Sequence, residues 1–209
     1  MRVIHFVPSA FEYFEDIRSS VFQIVEELDK LGVESEIITL QYGAGAPSKS
    51  VQKAAAEQEM KRSYKGVVPN SDLLQNLTGF DIIHFHVPCL GFVGKFLKWH
   101  KLHSKVRIVM SYYRPIPITD GISWFIRWYN KYYLPKLAKI ARGIVYFSER
   151  DLRPIILKVP TNSLSFNALS YANTASEEKT ESFSLNRPEE VGAGIVALYM
   201  KLLYTKFEF

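Results

Sequence analysis

Residues 2–8 read R-V-I-H-F-V-P, residues 15–33 read E-D-I-R-S-S-V-F-Q-I-V-E-E-L-D-K-L-G-V, and residues 36–40 read E-I-I-T-L. The first run is short, apolar and broken by Pro8, as a buried strand should be. In the second, Ile17, Val21, Ile24, Val25, Leu28 and Leu31 fall at helical spacing and Gly32 is placed to stop the helix. The third is again strand-like. Strand, helix and strand in this order are the repeating unit of a parallel sheet, so the opening 40 residues already favour an α/β fold.

The pattern continues downstream. Asp81–His86, Val106–Ser111 and Gly143–Ser148 read as three more short strands, separated by helical stretches at Phe92–Leu102 and Ile122–Ala141, the latter bent or restarted at Pro135. This predicts a single Rossmann-like, doubly wound and mostly parallel sheet, whose ligands lie beyond the carboxyl ends of the strands. Gly43–Pro69 reads as a mobile loop with a helical piece at Val51–Arg62. The domain is expected to span residues 1–155, a polar linker 156–186, and a C-terminal helix 187–209. Asn186, Pro188, Glu189 and Glu190 form the helix start, with Asn186 as the capping side chain. Val191, Ile195, Leu198 and Leu202 then make an apolar stripe that must pack back onto the α/β domain.

Composition sets further bounds. A chain of 209 residues with 47% hydrophobic content holds one sizeable core. The only cysteine is Cys89, read as a small buried hydrophobe, so no intrachain disulfide can form. No apolar run reaches membrane-spanning length, and the expected location is the cytoplasm or its membrane face. Charge is distributed unevenly: between Lys95 and Arg142 eleven Lys and Arg face one acid, Asp120. A local excess of that size acts as a field on anionic partners.

Three segments carry a resemblance. F-D-I-I-H-F-H at residues 80–86, V-M-S-Y-Y at 109–113 and I-V-Y-F-S-E at 144–149 recur in this order in one family. With the helix Ile17–Val33 and the closing S-F-S-L-N-R-P-E-E-V and A-L-Y-M-K-L-L, they resemble the N-terminal, acceptor-binding domain of GT-B glycosyltransferases of the family 4 type. The resemblance implies half of a GT-B fold, with the last helix crossing back onto the N-terminal domain and the donor domain missing. It implies a nucleotide sugar as donor substrate, no bound cofactor, and a partner that supplies the donor domain, or a homo-oligomer. The chain departs from the pattern where the family has Gly-Gly at the phosphate loop, for Glu15 and Asp16 stand there, and where the family has a histidine after the fourth strand, for Tyr113 and Arg114 follow instead. Two carboxylates at that helix start repel a diphosphate.

Candidate chemistry gathers after the strands. Phe11, Glu12, Tyr13 and Phe14 form an aromatic and acidic loop, in the place where the family contacts its acceptor. Glu12 and Tyr113 are the catalytic candidates, and Phe11, Tyr13, His86, Tyr112, Arg114 and Glu149 the acceptor-binding ones. The plainer reading of the loop is structural packing, and of Glu149 a surface role. His84 and His86 are read as facing opposite sides of the sheet, His84 as a packed core residue, and no metal is expected; His100 and His103 share a helical face without further ligands. Lys95, Lys98, Trp99, Lys101, Trp124, Arg127, Trp128 and Lys131 mix bases with large aromatics, which suits an anionic membrane surface or a lipid-linked acceptor. The plainer alternative is core aromatics beside solvated charges. Nucleic acid is not expected, since no recognisable motif accompanies the basic residues. Two functions remain: the acceptor half of a sugar transferase, and a non-catalytic binding or regulatory module derived from one. A compact enzyme using another donor, such as a lipid-phosphate sugar, is a third.

Overall fold

The computed structural model describes residues 1–8, 14–40, 64–67, 74–89, 92–113, 127–147, 160, 163–168, 172–173 and 183–205. Seven parallel strands form one sheet: β1 (Arg2–Val7), β2 (Glu34–Leu40), β3 (Tyr64–Val67), β4 (Ile82–Val87), β5 (Arg107–Tyr112), β6 (Gly143–Tyr146) and β7 (Leu164–Asn167), in the order β3-β2-β1-β4-β5-β6-β7. A two-stranded antiparallel ribbon pairs β8 (Ala172–Asn173) with β9 (Ser184–Leu185). Among the described residues four α-helices accompany them: α1 (Glu15–Lys30), α2 (Val93–His100), α3 (Leu134–Ile140) and α4 (Pro188–Tyr204). The arrangement is the Rossmann-like, doubly wound α/β fold.

The central strands explain themselves. Parallel strands covered on both faces read as unbroken apolar runs, and every residue of β4 is buried, as is all of β1 except Arg2. On one face, Phe6 and Phe85 meet Phe92 and Phe96 of the α2 region, with ring centroids 4.8 Å apart for Phe6 and Phe92 and 4.7 Å for Phe85 and Phe96. The opposite face is covered by α4. There the backbone of Gly143 passes beneath Leu198 and Leu202, so closely that a Cβ on it would lie 2.9 Å from Leu202 Cδ1. The stripe expected on this helix is in place, with Val191, Ile195, Leu198, Tyr199 and Leu202 all buried. At about 1.5–3 kcal/mol per buried side chain, it contributes on the order of 10 kcal/mol before chain entropy is counted.

Several boundaries differ from expectation. The stretch expected as mobile loop contains β3, while the helical piece expected at Val51–Arg62 lies outside the described residues. The expected linker contributes β7, which extends the sheet beside β6, and β8 and β9. β7 is half-exposed along its length and holds only two apolar residues, Leu164 and Phe166, so its pattern is too short and too polar to stand out in sequence. The restart expected at Pro135 takes the form of a π-helical turn, Tyr129–Tyr133, immediately before α3. A proline cannot donate the next helical hydrogen bond, and a wider turn ahead of it absorbs the loss.

Helix ends also correct the reading. Arg187, not Asn186, is the residue that precedes α4, and it makes no side-chain cap; Pro188 takes the first helical position and Glu189 and Glu190 the first turn. At the other end Arg107 donates from Nε to the Leu202 carbonyl (2.9 Å) and from Nη2 to that of Leu203 (3.3 Å), satisfying carbonyls that have no partner within the helix. Leu31 is 50% exposed although its spacing fits the apolar stripe of α1, because the helix stops at Lys30 and Gly32 turns the chain with φ +80°.

Candidate functional site

Strand order reverses between β1 and β4, since β2 lies on the outer side of β1 and β5 on the outer side of β4. In an open sheet the crevice above such a reversal is where ligands bind. His5 and His84 sit side by side there on β1 and β4, with His86 one pleat further toward the carboxyl end. Side chains two apart on a strand share a face. The expectation that His84 and His86 face opposite sides is therefore wrong: their rings are stacked with centroids 4.1 Å apart, on the face that α4 covers.

All three imidazoles are buried and belong to one polar network inside an otherwise apolar layer. A ring nitrogen of His5 hydrogen bonds His86 Nε2 (2.9 Å), and His86 Nδ1 meets the Tyr113 hydroxyl (2.6 Å). His84 Nε2 meets Ser111 Oγ (2.7 Å), and its Nδ1 meets the Tyr199 hydroxyl of α4. Burial, reinforced by the neighbouring imidazoles, holds His84 and His86 well below the usual histidine range. Burial likewise pushes the Tyr113 and Tyr199 phenols well above theirs. His84, His86 and the two phenols are thus neutral near pH 7: they can orient groups and pass hydrogen bonds along, but they offer no ionised base. One nitrogen from each histidine lies within 4.8 Å of the others, which is a candidate metal donor set. Both nitrogens of His84 and of His86 are already engaged, so a metal would have to displace these partners.

Tyr113 follows β5, stacks on Phe147 (4.7 Å between centroids) and receives the edge of Phe183 (4.9 Å). Phe183 is held by Asp16. Its backbone N–H donates to Asp16 Oδ2 (2.6 Å), while Asp16 Oδ1 accepts from the N–H of Ile17 (2.8 Å). The carboxylate at the phosphate-loop position therefore accepts from a first-turn N–H of its own helix and ties down the segment that leads into α4. Glu15 beside it is exposed. Tyr112 is buried at the end of β5, and its neighbouring position in sequence gives it the opposite face from Tyr113. Phe14 is buried at the start of α1, whereas Phe11, Glu12, Tyr13, Arg114, Trp124 and Glu149 lie outside the described residues. Cys89 is buried beneath the crevice, where its thiol donates to the carbonyls of His86 (3.2 Å) and Phe6 (3.4 Å) and burial pushes its pKa up.

A second concavity lies on the α2 side. A groove of about 820 Å³ runs between α2 and the π turn and α3. Lys95, Lys98 and Lys101 line it from α2 and its end, and Lys136 and Lys139 from α3, above Leu97, Ile140, Tyr129 and Tyr133; Trp128 and His100 also border it. The Tyr133 ring of the π turn packs directly over Gly94, where a Cβ would lie 2.9 Å from it. Of the expected surface residues, Lys95, Lys98, Lys101 and Trp128 come together here. Trp99 does not, and stacks on His103 instead (4.4 Å), while Arg127 and Lys131 are exposed outside the lining.

Sequence reasoning passed over His5, Ser111, Tyr199 and Phe183 in the network, and buried Arg18 on α1. Arg18 lies among Ile17, Val21 and Phe22 on the inward face, a signal that helical spacing contained. Lys136 and Lys139 counted toward the basic excess, but nothing in sequence assigned them to a groove.

A doubly wound parallel sheet with its crevice at the β1/β4 reversal and a late helix closing one face is the architecture of the N-terminal domain of a GT-B glycosyltransferase, among other doubly wound proteins. The chain belongs to Glycosyltransferase Family 4, whose model matches residues 17–158. Its fold is similar to that of a sucrose-phosphate synthase chain from Thermosynechococcus elongatus, with a TM-score of 0.53 at 12% identity over 97% of this chain and 99% of that one. It is also similar to an alpha-glucosyltransferase solved with UDP and a 13-mer DNA containing an HMU base (TM-score 0.46, 12% identity, 80% of this chain). The same likeness extends to an alpha-glucosyltransferase with UDP and a 13-mer DNA containing a central A:G mismatch (TM-score 0.46, 11% identity, 80% of this chain). The chain spans 41% and 40% of the length of those two chains. No curated protein matches it in sequence.

Proposed function

We propose that this domain is the acceptor-binding half of a sugar transferase, which works with a nucleotide sugar held by a second Rossmann-type unit on a partner. The observation that carries this reading is Asp16. A helix N-terminus that serves a phosphate leaves its backbone N–H groups open to the anion, whereas here a carboxylate already occupies that position and is bonded to Ile17 and Phe183. The diphosphate then belongs elsewhere, and this crevice is left to the acceptor.

In the reaction an acceptor hydroxyl attacks the anomeric carbon, the bond from that carbon to the diphosphate breaks, and the hydroxyl proton passes to a base. Glu12 is the candidate base. Tyr113, a neutral phenol held by His86, positions the acceptor together with His86, and Phe11, Tyr13, Arg114 and Glu149 remain candidates for contacting it, whereas Tyr112 lies on the other face of the sheet. The same carboxylate supports a second reading, a non-catalytic module that has lost donor chemistry. Sugar transfer from labelled nucleotide sugars to a membrane lipid extract separates the two. The expected result is transfer only when a fraction of native lysate is added to the purified chain. Transfer by the chain alone would overturn the division into halves, and silence in both arms would favour the module.

A further inference from the structure

We propose that the groove between α2 and α3 is a binding site for the phosphate headgroup of an anionic phospholipid, seating the domain on a membrane by the face opposite α4. Charge is the first argument. Lys98 and Lys101 on one side and Lys136 and Lys139 on the other line a single concavity, and none of the four makes an ion pair among the described residues. The sequences of α2, the π turn and α3 contain no acid. Spacings of three residues send each pair of lysines to the same side of its helix. Like charges gathered in a concave site with low-dielectric walls repel one another until an anion enters, and the same field draws that anion in.

The walls decide which anion. The groove floor is formed by aliphatic side chains and ring faces, and its volume of about 820 Å³ falls within the range of small-molecule sites. Trp128, which lines it, is 41% exposed; Tyr132, in ring contact with Trp128, is 44% exposed, and Leu102, next in sequence to the lining residue Lys101, is 84% exposed. A free phosphate gains nothing from such neighbours, and a nucleic acid gains nothing from an exposed leucine. A lipid uses both parts, with lysines on its phosphate and the apolar rim against the acyl boundary, as helices that lie in a bilayer interface do. No helix among the described residues is long and apolar enough to cross a membrane, so this would be contact from one side.

The inference stands apart from the transferase reading, because vesicle binding needs neither donor nor sugar acceptor and its failure would leave that reading untouched. The test is cosedimentation of the purified chain with phosphatidylcholine vesicles and with vesicles containing phosphatidylglycerol. We expect pelleting with the second only. Each lysine near an anionic surface is worth about fivefold in binding, so the variant K98E/K101E/K136E/K139E should lose on the order of a hundredfold or more. If that variant fails to give a native circular dichroism spectrum, K98Q/K139Q tests the same point with an expected loss of roughly tenfold or more. Replacing Trp128 by Ala and Leu102 by Ser should weaken binding while leaving its salt dependence unchanged, whereas the lysine variants should reduce that dependence. Binding by the lysine variants equal to that of the parent chain overturns the proposal, as does absence of binding to phosphatidylglycerol. Release of bound chain by millimolar inorganic phosphate would instead make this a soluble phosphate site, and equal affinity for a DNA duplex would make it a nucleic-acid surface.

Discussion

His84 illustrates how a buried polar side chain is made tolerable. Both of its nitrogens are satisfied, by Ser111 on the next strand and by Tyr199 on α4, so an imidazole sits in the sheet face without an unpaired atom. Burial, with the neighbouring imidazoles, favours the neutral form, which gives it a pH signature. Because the folded state depresses the His84 and His86 pKa values below 6.5, the unfolded chain binds more protons in acid. Stability is fully present above about pH 6.5 and declines as pH falls toward the depressed values, at roughly 1.4 kcal/mol per pH unit for each imidazole. Urea melts between pH 7.5 and about 5 should show that slope, and H84Q/H86Q should flatten it; a parent slope near zero would mean the rings are not held neutral. This network was largely hidden in the sequence. His5 and His84 stand in apolar runs that announce strands, but nothing local says that they adjoin, and Tyr199 reaches His84 across 115 positions. The period of two along I-I-H-F-H-V places His84 and His86 on one face, so this part of the network was present in the sequence.

Among the elements, those with long apolar patterns were legible and the short ones were not. α1 and α4 follow from their stripes, and β1 and β4 from continuous burial, whereas β3 and β7 are four residues each and take their place through pairing with β2 and β6. The α1/α4 contact has a sharper sequence correlate in Gly192. A Cβ there would lie 2.7 Å from Glu27 Cβ, an atom fixed to the α1 backbone, so the helices would have to separate. Alanine is the better helix former by about 1 kcal/mol, yet overpacking costs about 1–3 kcal/mol. We therefore expect G192A to lower the unfolding free energy, by about 1 kcal/mol net, in denaturant titrations. An increase would show that the helices yield without loss. Asp16 acts at the same scale, joining the start of α1 to the segment before α4 through Phe183. D16A removes both the first-turn hydrogen bond from Ile17 and this tie, with an expected loss of about 1–3 kcal/mol in the same measurement.

Taken whole, the molecule is a sheet with one face closed by α2 and α3 and the other completed by α1 and α4. The contribution of α4, on the order of 10 kcal/mol before entropy, is as large as the entire stability of a typical domain. A chain stopped after Asn186 should accordingly show no cooperative thermal transition and should bind a hydrophobic dye; a cooperative melt would mean that this face is stable uncovered. The fold at this scale was readable, including the return of the last helix, because an amphipathic stripe has to find a partner. The groove was readable only in part: the basic excess was visible, but its convergence depends on how α2 and α3 lie on the sheet. The meeting of α1 with α4, at Glu27 and Gly192, also has a meaning in time. A ribosome adding about 5–20 residues per second finishes α1 roughly 10–30 s before it finishes α4. From the emergence of β4 until α4 is made, the histidine-bearing face of the newborn sheet has only α1 over it.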